Sequence, residues 1–461
     1  MDYSLKQDTV LAFFLSIVIV SFFGTILLFG SYISPYIIAS FGLIPVAVYF
    51  LRMIPWVGLF LCITLSGLYL IGDTGIDPGE LAFLISYSLF VIPTTGLLLV
   101  KGEIPRQSAI DAWLMVFICL LPYGVILGVL NSASPEVIFN DTRFFMFLLA
   151  YPALMSFMKY HAFRSSIFVA LLIVAFTVLV ENIYNYQEIL LNATMEWQAE
   201  KARSTTSEFV LMTAATFFFA LGSTVQSFWK RLLCVLPVIA FIVGLIITQS
   251  RGFWIACLLS FFVVFLVSTR FEKGRVLLVS TITFSLLGIG LVIFSQEYLT
   301  VIGGLGARVA SFSSLGLDIS LIERARESNT ILELVGRNPI AGYGLGVEYD
   351  RWFLVPMHVE ATSYIHNGYL NLWFKFGLIG LITILAISYQ ILRKSYHFLN
   401  RDTDLLQRTF LKTILASWVG AMVVSITSPQ FYSFDGIMLL VVFCAYLSYR
   451  VSQRDRDLSS V

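Results

Sequence analysis

CVLPVIAFIVGLIITQSRGFWIACLLSFFVVFLVS, residues 234–268, places one arginine, Arg251, between two segments that are apolar enough to cross a membrane. A bare guanidinium inside a bilayer costs roughly 2.5–3.5 kcal/mol on insertion scales. The pattern therefore predicts two membrane helices that meet at a membrane surface. There Arg251 either reaches into water, with Gly252 as a turn, or faces an anionic ligand.

The rest of the chain repeats this apolar pattern. Its 461 residues are 58% hydrophobic and only 12% charged, whereas soluble domains are about 25% charged. The sequence therefore predicts an all-α polytopic membrane protein with about fourteen transmembrane helices. The predicted spans are 9–30, 34–51, 54–72, 81–100, 110–130, 144–158, 165–183, 207–225, 232–249, 253–268, 276–295, 367–392, 409–427 and 433–449. All five cysteines lie within them, and neither a disulfide framework nor a zinc site is expected.

The distribution of basic residues predicts how the spans are oriented. With the N-terminus inside, the inner connections carry about twice as many Lys and Arg residues as the outer ones. Both termini are therefore expected in the cytoplasm. The chain is predicted to divide into five parts. Residues 1–230 form the N-terminal spans, and 231–295 form the spans that carry the Ser-Arg-Gly segment. Residues 296–366 form an extracytoplasmic loop subdomain, 367–450 the C-terminal spans and 451–461 a cytoplasmic tail.

Two long connections fall outside, at 184–206 and 296–366, and the second is long enough to form a subdomain with short helices. Within it, residues 317–339 predict one helix, with Asp318 as N-cap and with Gly336 and Pro339 at its end. Its apolar stripe is Leu321, Ile322, Ala325, Ile331, Leu332 and Val335, and its other face carries Glu323, Arg324, Glu327 and Ser328.

The predicted topology brings three candidate site residues to the outer face: Arg251, Arg324 and His366. Arginine is permanently charged and its planar fork suits phosphate oxygens. Histidine accepts protons near neutral pH. The glycines of "GRNPIAGYGLG", Gly344 and Gly346 among them, either offer backbone N–H groups to an anion or form a plain turn. A phosphate-recognising site outside the cytoplasmic membrane, where no nucleoside triphosphate is present, points to an already activated substrate such as a lipid diphosphate.

Three motifs occur in order at these positions. They are Ser250-Arg251-Gly252, Arg324 followed by PIAGYGLG (Pro339 to Gly346), and His366-Asn367-Gly368-Tyr369-Leu370 before the apolar GLIG helix. In this combination the sequence resembles the O-antigen ligase and polymerase superfamily of bacterial envelope glycosyltransferases, over about residues 230–395. Lys375 departs from that pattern, because it stands where an acidic residue is common, and this could change acceptor binding.

The resemblance implies a GT-C-like fold in the bacterial inner membrane, with the active site on the periplasmic side. It implies transfer of a glycan from an undecaprenyl-diphosphate carrier to an acceptor sugar hydroxyl, with inversion. In this reading His366 is the base, and Arg251 and Arg324 stabilise the leaving diphosphate, so no metal and no cofactor are expected. The acceptor would be a lipid A–core glycolipid for a ligase, which we favour, or a second lipid-linked glycan for a polymerase. Membrane lipids surround the spans, and no nucleic-acid partner is expected.

Other interpretations stay open at this point. His358 is the rival base and Arg326 the rival to Arg324. Asn367 and Tyr369 cap and anchor the following span more readily than they bind substrate. A lipid or polysaccharide transporter would also have many spans, but it usually carries ionisable groups near the midplane, where only Lys375 stands out here. A serine protease that pairs Ser250 with His366 is less favoured, because Ser250 is better explained by its neighbour Arg251.

Overall fold

The computed structural model describes residues 108–192, 207–294, 319–354, 357–401 and 404–459, together with the single positions 87, 91 and 95. The chain divides into two compact units. In the first, the described residues are 87, 91, 95 and 152–177. The second comprises 105–151 and 178–461 and contains every candidate site residue.

The described residues form twelve α-helices, two short 3-10 helices and two strands. The α-helices, α1 to α12, are Ala109–Leu130, Pro135–Arg143, Tyr151–Phe157, His161–Asn192, Glu208–Thr224, Phe228–Ile247, Arg251–Val267, Arg270–Phe294, Ile319–Arg337, Gly368–Leu399, Leu405–Val424 and Phe434–Ser459. The 3-10 helices are Met146–Ala150 and Gln430–Tyr432, and the strands β1 and β2 are Tyr349–Leu354 and Met357–Thr362.

Six helices in the described part of the chain are long and apolar enough to cross a membrane, or seven if one bent pair counts as a single span. This agrees with an all-α membrane protein, although the predicted number of about fourteen is not reached by the described residues. The first four predicted spans, from 9–30 to 81–100, lie outside them apart from positions 87, 91 and 95. The predicted outer connection 184–206 begins as helix, because α4 continues to Asn192.

Four helices of the second unit begin near the turn that follows α11. The α7 residue Gly252 lies so close to this turn that an added Cβ would be 3.1 Å from Thr427 Oγ1. At the start of α10, the Gly368 N–H donates to Ser425 O at 2.7 Å. The backbone of Phe209 in α5 hydrogen-bonds to Asp435 in α12. Because helix N-termini carry partial positive charge, this end of the unit favours anions.

An antiparallel hairpin, which the sequence did not predict, lies between α9 and α10. Its register pairs Tyr349 with Thr362, Arg351 with Glu360 and Phe353 with His358. Helix α9 holds the first strand at both ends: Glu323 Oε1 accepts from Leu354 N at 2.8 Å, and Glu327 Oε1 accepts from Tyr349 OH at 2.5 Å. The two glutamates are four residues apart and therefore face the strand together.

The glycine segment 342–346 connects the hairpin to the membrane helices. Gly342, Gly344 and Gly346 all have positive φ, at 76°, 96° and 77°. Each also lies against backbone: a Cβ on Gly344 would be 2.2 Å from Gly128 N, and one on Gly346 would be 2.6 Å from Ile138 N. Only glycine meets both demands without strain. The segment is therefore a close-packed clamp against α1, α2 and α10.

Candidate functional site

His366 lies in a short segment, 363–368, whose backbone is fixed at nearly every position. Tyr349 OH donates to Tyr364 O at 3.0 Å, and Asn371 Nδ2 donates to Ile365 O at 3.2 Å. The Asn367 side chain caps α10 by accepting from Tyr369 N and Leu370 N. These hydrogen bonds hold the backbone of His366 in one position before any substrate binds.

The imidazole is oriented by a buried carboxylate. His366 Nδ1 lies 2.8 Å from Glu327 Oε2, and the His366 backbone N–H donates to Glu327 Oε1 at 3.3 Å. Because an ionised carboxylate only accepts hydrogen bonds, Nδ1 carries the proton and Nε2 keeps its lone pair. Nε2 makes no hydrogen bond to any residue that the structure describes, and 19% of the side chain is exposed. The arrangement is that of a general base held by an acidic partner.

The charge state of Glu327 follows from its neighbours. Burial by itself raises the pKa of the Glu327 carboxyl, but the hydrogen bond and charge of His366, the hydrogen bond from Tyr349 and the charge of Arg351 outweigh it. The pKa therefore lies below its ordinary value. Burial, followed by the charge of Glu327, raises the pKa of the Tyr349 hydroxyl. Glu327 is thus an ionised acceptor at neutral pH, and Tyr349 remains a donor.

Arg324 is one helical turn from Glu327 on α9 and is half-buried. Its positive charge acts on Tyr364, whose ring meets the His366 ring edge-on with centroids 5.0 Å apart. Arg326 is exposed on another face of the same helix. Of the two arginines that the sequence left open, the geometry therefore favours Arg324.

Arg251 is the first residue of α7, directly after Ser250. The neighbouring Gly252 packs on Val424 and Thr427, and the His366 segment bonds to Ser425 through Gly368. The Ser-Arg-Gly motif and the His-Asn motif therefore flank the same turn. The carbonyl of Ser250 accepts hydrogen bonds from Phe253 N and Trp254 N, so Ser250 contributes to the first turn of α7.

The glycine clamp does not offer its N–H groups to a ligand. Gly344 N donates to Lys375 O at 3.0 Å, and Gly346 N donates to Asp141 Oδ2 at 2.7 Å. Leu345 N between them donates to Gly124 O at 2.8 Å. Of the two interpretations that the sequence left open for Gly344 and Gly346, these hydrogen bonds favour a turn with a packing role.

His358, the rival base, stands on β2 and stacks on Phe353 with ring centroids 4.6 Å apart. It pairs with a position four residues along β1 from Tyr349, which is roughly 13 Å at the rise of an antiparallel strand. Between these positions lies Arg351, with its guanidinium 4.5 Å from the Phe353 ring centroid. The buried Arg351 Nε makes no hydrogen bond within the described part of the chain. The structure thus separates His358 from Glu327. It also adds Arg351, as a third arginine, to the candidate site.

Lys375 does not lie at an exposed acceptor surface. Its side chain is fully buried in an ion pair with Asp141 and donates to Ser363 O at 3.0 Å. Asp141 also accepts from Ser363 Oγ at 3.0 Å and from Tyr432 OH. This cluster ties α2, the glycine clamp and α10 to the segment that carries His366. The sequence suggestion that Lys375 changes acceptor binding is replaced by an anchoring role.

Glu327 and Arg351 are the site residues that the sequence analysis missed. Glu327 was assigned to the polar face of α9, yet it is only 5% exposed. Its spacing of three residues from Arg324 was the available signal, since both side chains then share a helix face. Arg351 lies in the predicted outer connection 296–366, where the sequence predicted no strand, so nothing singled it out. Among the described residues, no group of three or more His, Cys, Asp or Glu side chains is placed to hold a metal ion.

Comparison with known families adds one finding. Residues 236–385 match the family model described as O-antigen ligase. The matched range includes Arg251, Arg324, Glu327, Arg351 and His366, and it ends within α10. No curated protein matches the chain.

Proposed function

We propose that the chain transfers a glycan from an undecaprenyl-diphosphate carrier to an acceptor sugar hydroxyl, and the match of residues 236–385 to the O-antigen ligase family model supports this proposal. The observation that carries the proposal is the His366–Glu327 pair, whose partly exposed imidazole keeps Nε2 for a substrate. The reaction takes place on the outer face of the bacterial inner membrane, as the charge distribution along the chain supports.

In the proposed reaction, the acceptor hydroxyl attacks the anomeric carbon while its proton passes to His366 Nε2. The bond from the anomeric carbon to the diphosphate oxygen breaks, and its electron pair leaves with the diphosphate. Attack opposite the leaving group inverts the anomeric centre. Glu327 stabilises the imidazolium that forms and holds the tautomer that leaves Nε2 as acceptor.

Arg251 and Arg324 are proposed to stabilise the charge that grows on the leaving diphosphate. Guanidinium groups bind phosphate oxygens through paired N–H donors, and preorganised donors lower the barrier when charge develops beside them. The N-termini of α7 and α10, which contact the turn that contains Ser425, add partial positive charge at the same end of the unit. This set of cations supports a reaction that proceeds without a metal ion.

Ligase and polymerase share this chemistry and differ in the acceptor. We favour a ligase, which extends a lipid A–core glycolipid, over a polymerase, which extends a second lipid-linked repeat unit. The test is reconstitution of the purified chain in vesicles with a lipid-diphosphate glycan donor and each acceptor in turn. Glycan on the lipid A–core acceptor supports the ligase, and glycan only on the lipid-linked repeat unit supports the polymerase. Release of diphosphate carrier with neither acceptor extended contradicts both.

The same reconstitution is repeated in the presence of excess chelator, to test whether the reaction needs a metal ion. Turnover that persists in excess chelator is the expected result. Loss of turnover that one divalent cation restores would contradict the metal-independent reaction while leaving the transfer itself established.

A further inference from the structure

A cavity of about 350 Å³ lies at the far end of α10 from His366, beside the C-terminal part of α12. Helix α10 contains 32 residues and is kinked at Gly377, and its part beyond the kink extends roughly 24 Å from Gly377 to Arg393. The cations that line the cavity are Arg393, Lys394, Arg401 and Arg454, with His397 among them, and the described lining contains no acidic side chain.

The lining brings several cations together at the C-terminal end of α10. Arg393, Lys394 and His397 lie in its last two turns, and Arg401 follows two residues beyond its last residue, Leu399. Cations that share a cavity repel one another, and a bound anion offsets that repulsion. The described lining contains no acidic side chain to supply this charge.

The charged side chains and the imidazole of the cavity also present hydrogen-bond donors. Arg454 Nη1 lies 3.0 Å from His397 Nε2, and because a guanidinium only donates, Nε2 accepts and Nδ1 carries the proton. The imidazole therefore adds a further N–H donor to those of the arginines and Lys394. A group with several acceptor oxygens and negative charge fits such a lining, and phosphate is the biological group of that kind that arginine recognises best.

An apolar stripe on α10 leads to the cavity. It consists of exposed side chains at helical spacing, namely Ile382, Leu385, Tyr389 and Tyr396. Both α10 and α12 are long and apolar enough to cross a membrane, so the cavity lies where lipid headgroups lie. A phospholipid can place its acyl chains along this stripe while its phosphate enters the basic cavity.

We propose that this cavity binds the phosphate headgroup of an anionic phospholipid in the membrane leaflet opposite the His366 site. The site is separate from the transfer reaction and does not depend on the proposed function. The lipid binds the folded chain and thereby stabilises it, as any ligand specific for the native state does.

The test measures lipid retained by the full-length chain, by native mass spectrometry after delipidation in detergent. The probes are phosphatidylglycerol, phosphatidylcholine and inorganic phosphate. Wild-type chain is expected to retain phosphatidylglycerol in preference to phosphatidylcholine. The double variant Arg393→Gln/Arg401→Gln should bind it about 30-fold more weakly, from roughly 1 kcal/mol for each lost cation. The matched variant Lys230→Gln/Arg270→Gln removes two exposed cations elsewhere and should retain it.

Equal retention of phosphatidylglycerol by both double variants would overturn the proposal. Equal retention of the two lipids by wild-type chain would also overturn it, because the headgroup would then contribute nothing. Displacement of phosphatidylglycerol by millimolar inorganic phosphate would identify free phosphate as the ligand and overturn the lipid. A photoreactive phosphatidylglycerol on wild-type chain checks the position without any substitution: crosslinks within 393–401 support the site, and crosslinks confined to other peptides contradict it.

Discussion

Glu327 Oε2 and His366 Nδ1 lie 2.8 Å apart, although 39 residues separate them in the chain. One is on helix α9 and the other immediately precedes α10, which is long and apolar enough to cross a membrane. Their hydrogen bond defines which imidazole nitrogen can receive a proton, and it connects α9 to the start of α10 at the proposed reaction centre.

The first prediction concerns this carboxylate. Glu327→Gln should lower turnover by about 10²- to 10⁴-fold, because a neutral amide neither enforces the tautomer nor stabilises an imidazolium. The acid limb of the pH–rate profile should move to lower pH. Glu323→Gln is the matched control, since Glu323 lies one turn away and bonds only the end of β1. Equal losses in the two variants would assign Glu327 a structural role alone.

Glu327 also makes stability depend on pH. Its pKa is below the ordinary value in the folded chain, so its contribution is fully present above the unfolded pKa of about 4.3 and is lost as the pH falls through the folded value. The difference in Tm between wild type and Glu327→Gln should therefore be largest near neutrality and shrink below about pH 4. A difference that stays constant down to that pH would contradict the ionised carboxylate.

Arg324 and Arg326 form a natural matched pair on α9. Arg324→Ala should reduce turnover by about 10²- to 10³-fold, as for the loss of a donor to a developing anion. Arg324→Lys should recover only part of it, because lysine keeps the charge and loses the planar fork. Arg326→Ala should leave turnover near that of wild type, measured by release of the diphosphate carrier. The reverse order would move the diphosphate contact to Arg326.

The Asp141–Lys375 pair provides a test of the anchoring role. Lys375→Met leaves the Asp141 charge buried and should lower the free energy of unfolding by about 3–5 kcal/mol. The double variant Asp141→Asn/Lys375→Met removes both charges but keeps an acceptor for Gly346 N, Ser363 Oγ and Tyr432 OH, so it should recover part of this loss. An altered KM for the acceptor with unchanged stability in Lys375→Met would instead support acceptor binding.

The sequence indicates the candidate residues that stand in motifs better than it indicates Glu327, which contacts one of them. Arg251, Arg324 and His366 are recognisable because each stands in a motif at a predicted outer boundary. Glu327 was not, because a carboxylate on the polar face of an amphipathic helix is normally solvated. Here the carboxylate is buried and accepts hydrogen bonds from Tyr349 and the His366 segment, which are distant in sequence.

The glycine segment shows a second limit of the sequence. An anion-binding loop and a packing clamp both favour glycine, so Gly344 and Gly346 fit either interpretation. The distinction depends on where the N–H groups point, and here they point to Lys375 O and Asp141. The hairpin was missed for a related reason: its stability comes from contacts with α9 that are distant in sequence.

Transfer by His366→Ala, measured beside its retention of donor, tests the central claim most directly. A general base contributes to the transition state and little to diphosphate affinity. Purified, folded His366→Ala should therefore bind the lipid-diphosphate donor as wild type does and transfer no detectable glycan, while His358→Ala transfers normally. Near-normal transfer by His366→Ala would contradict the assignment and move the base to His358.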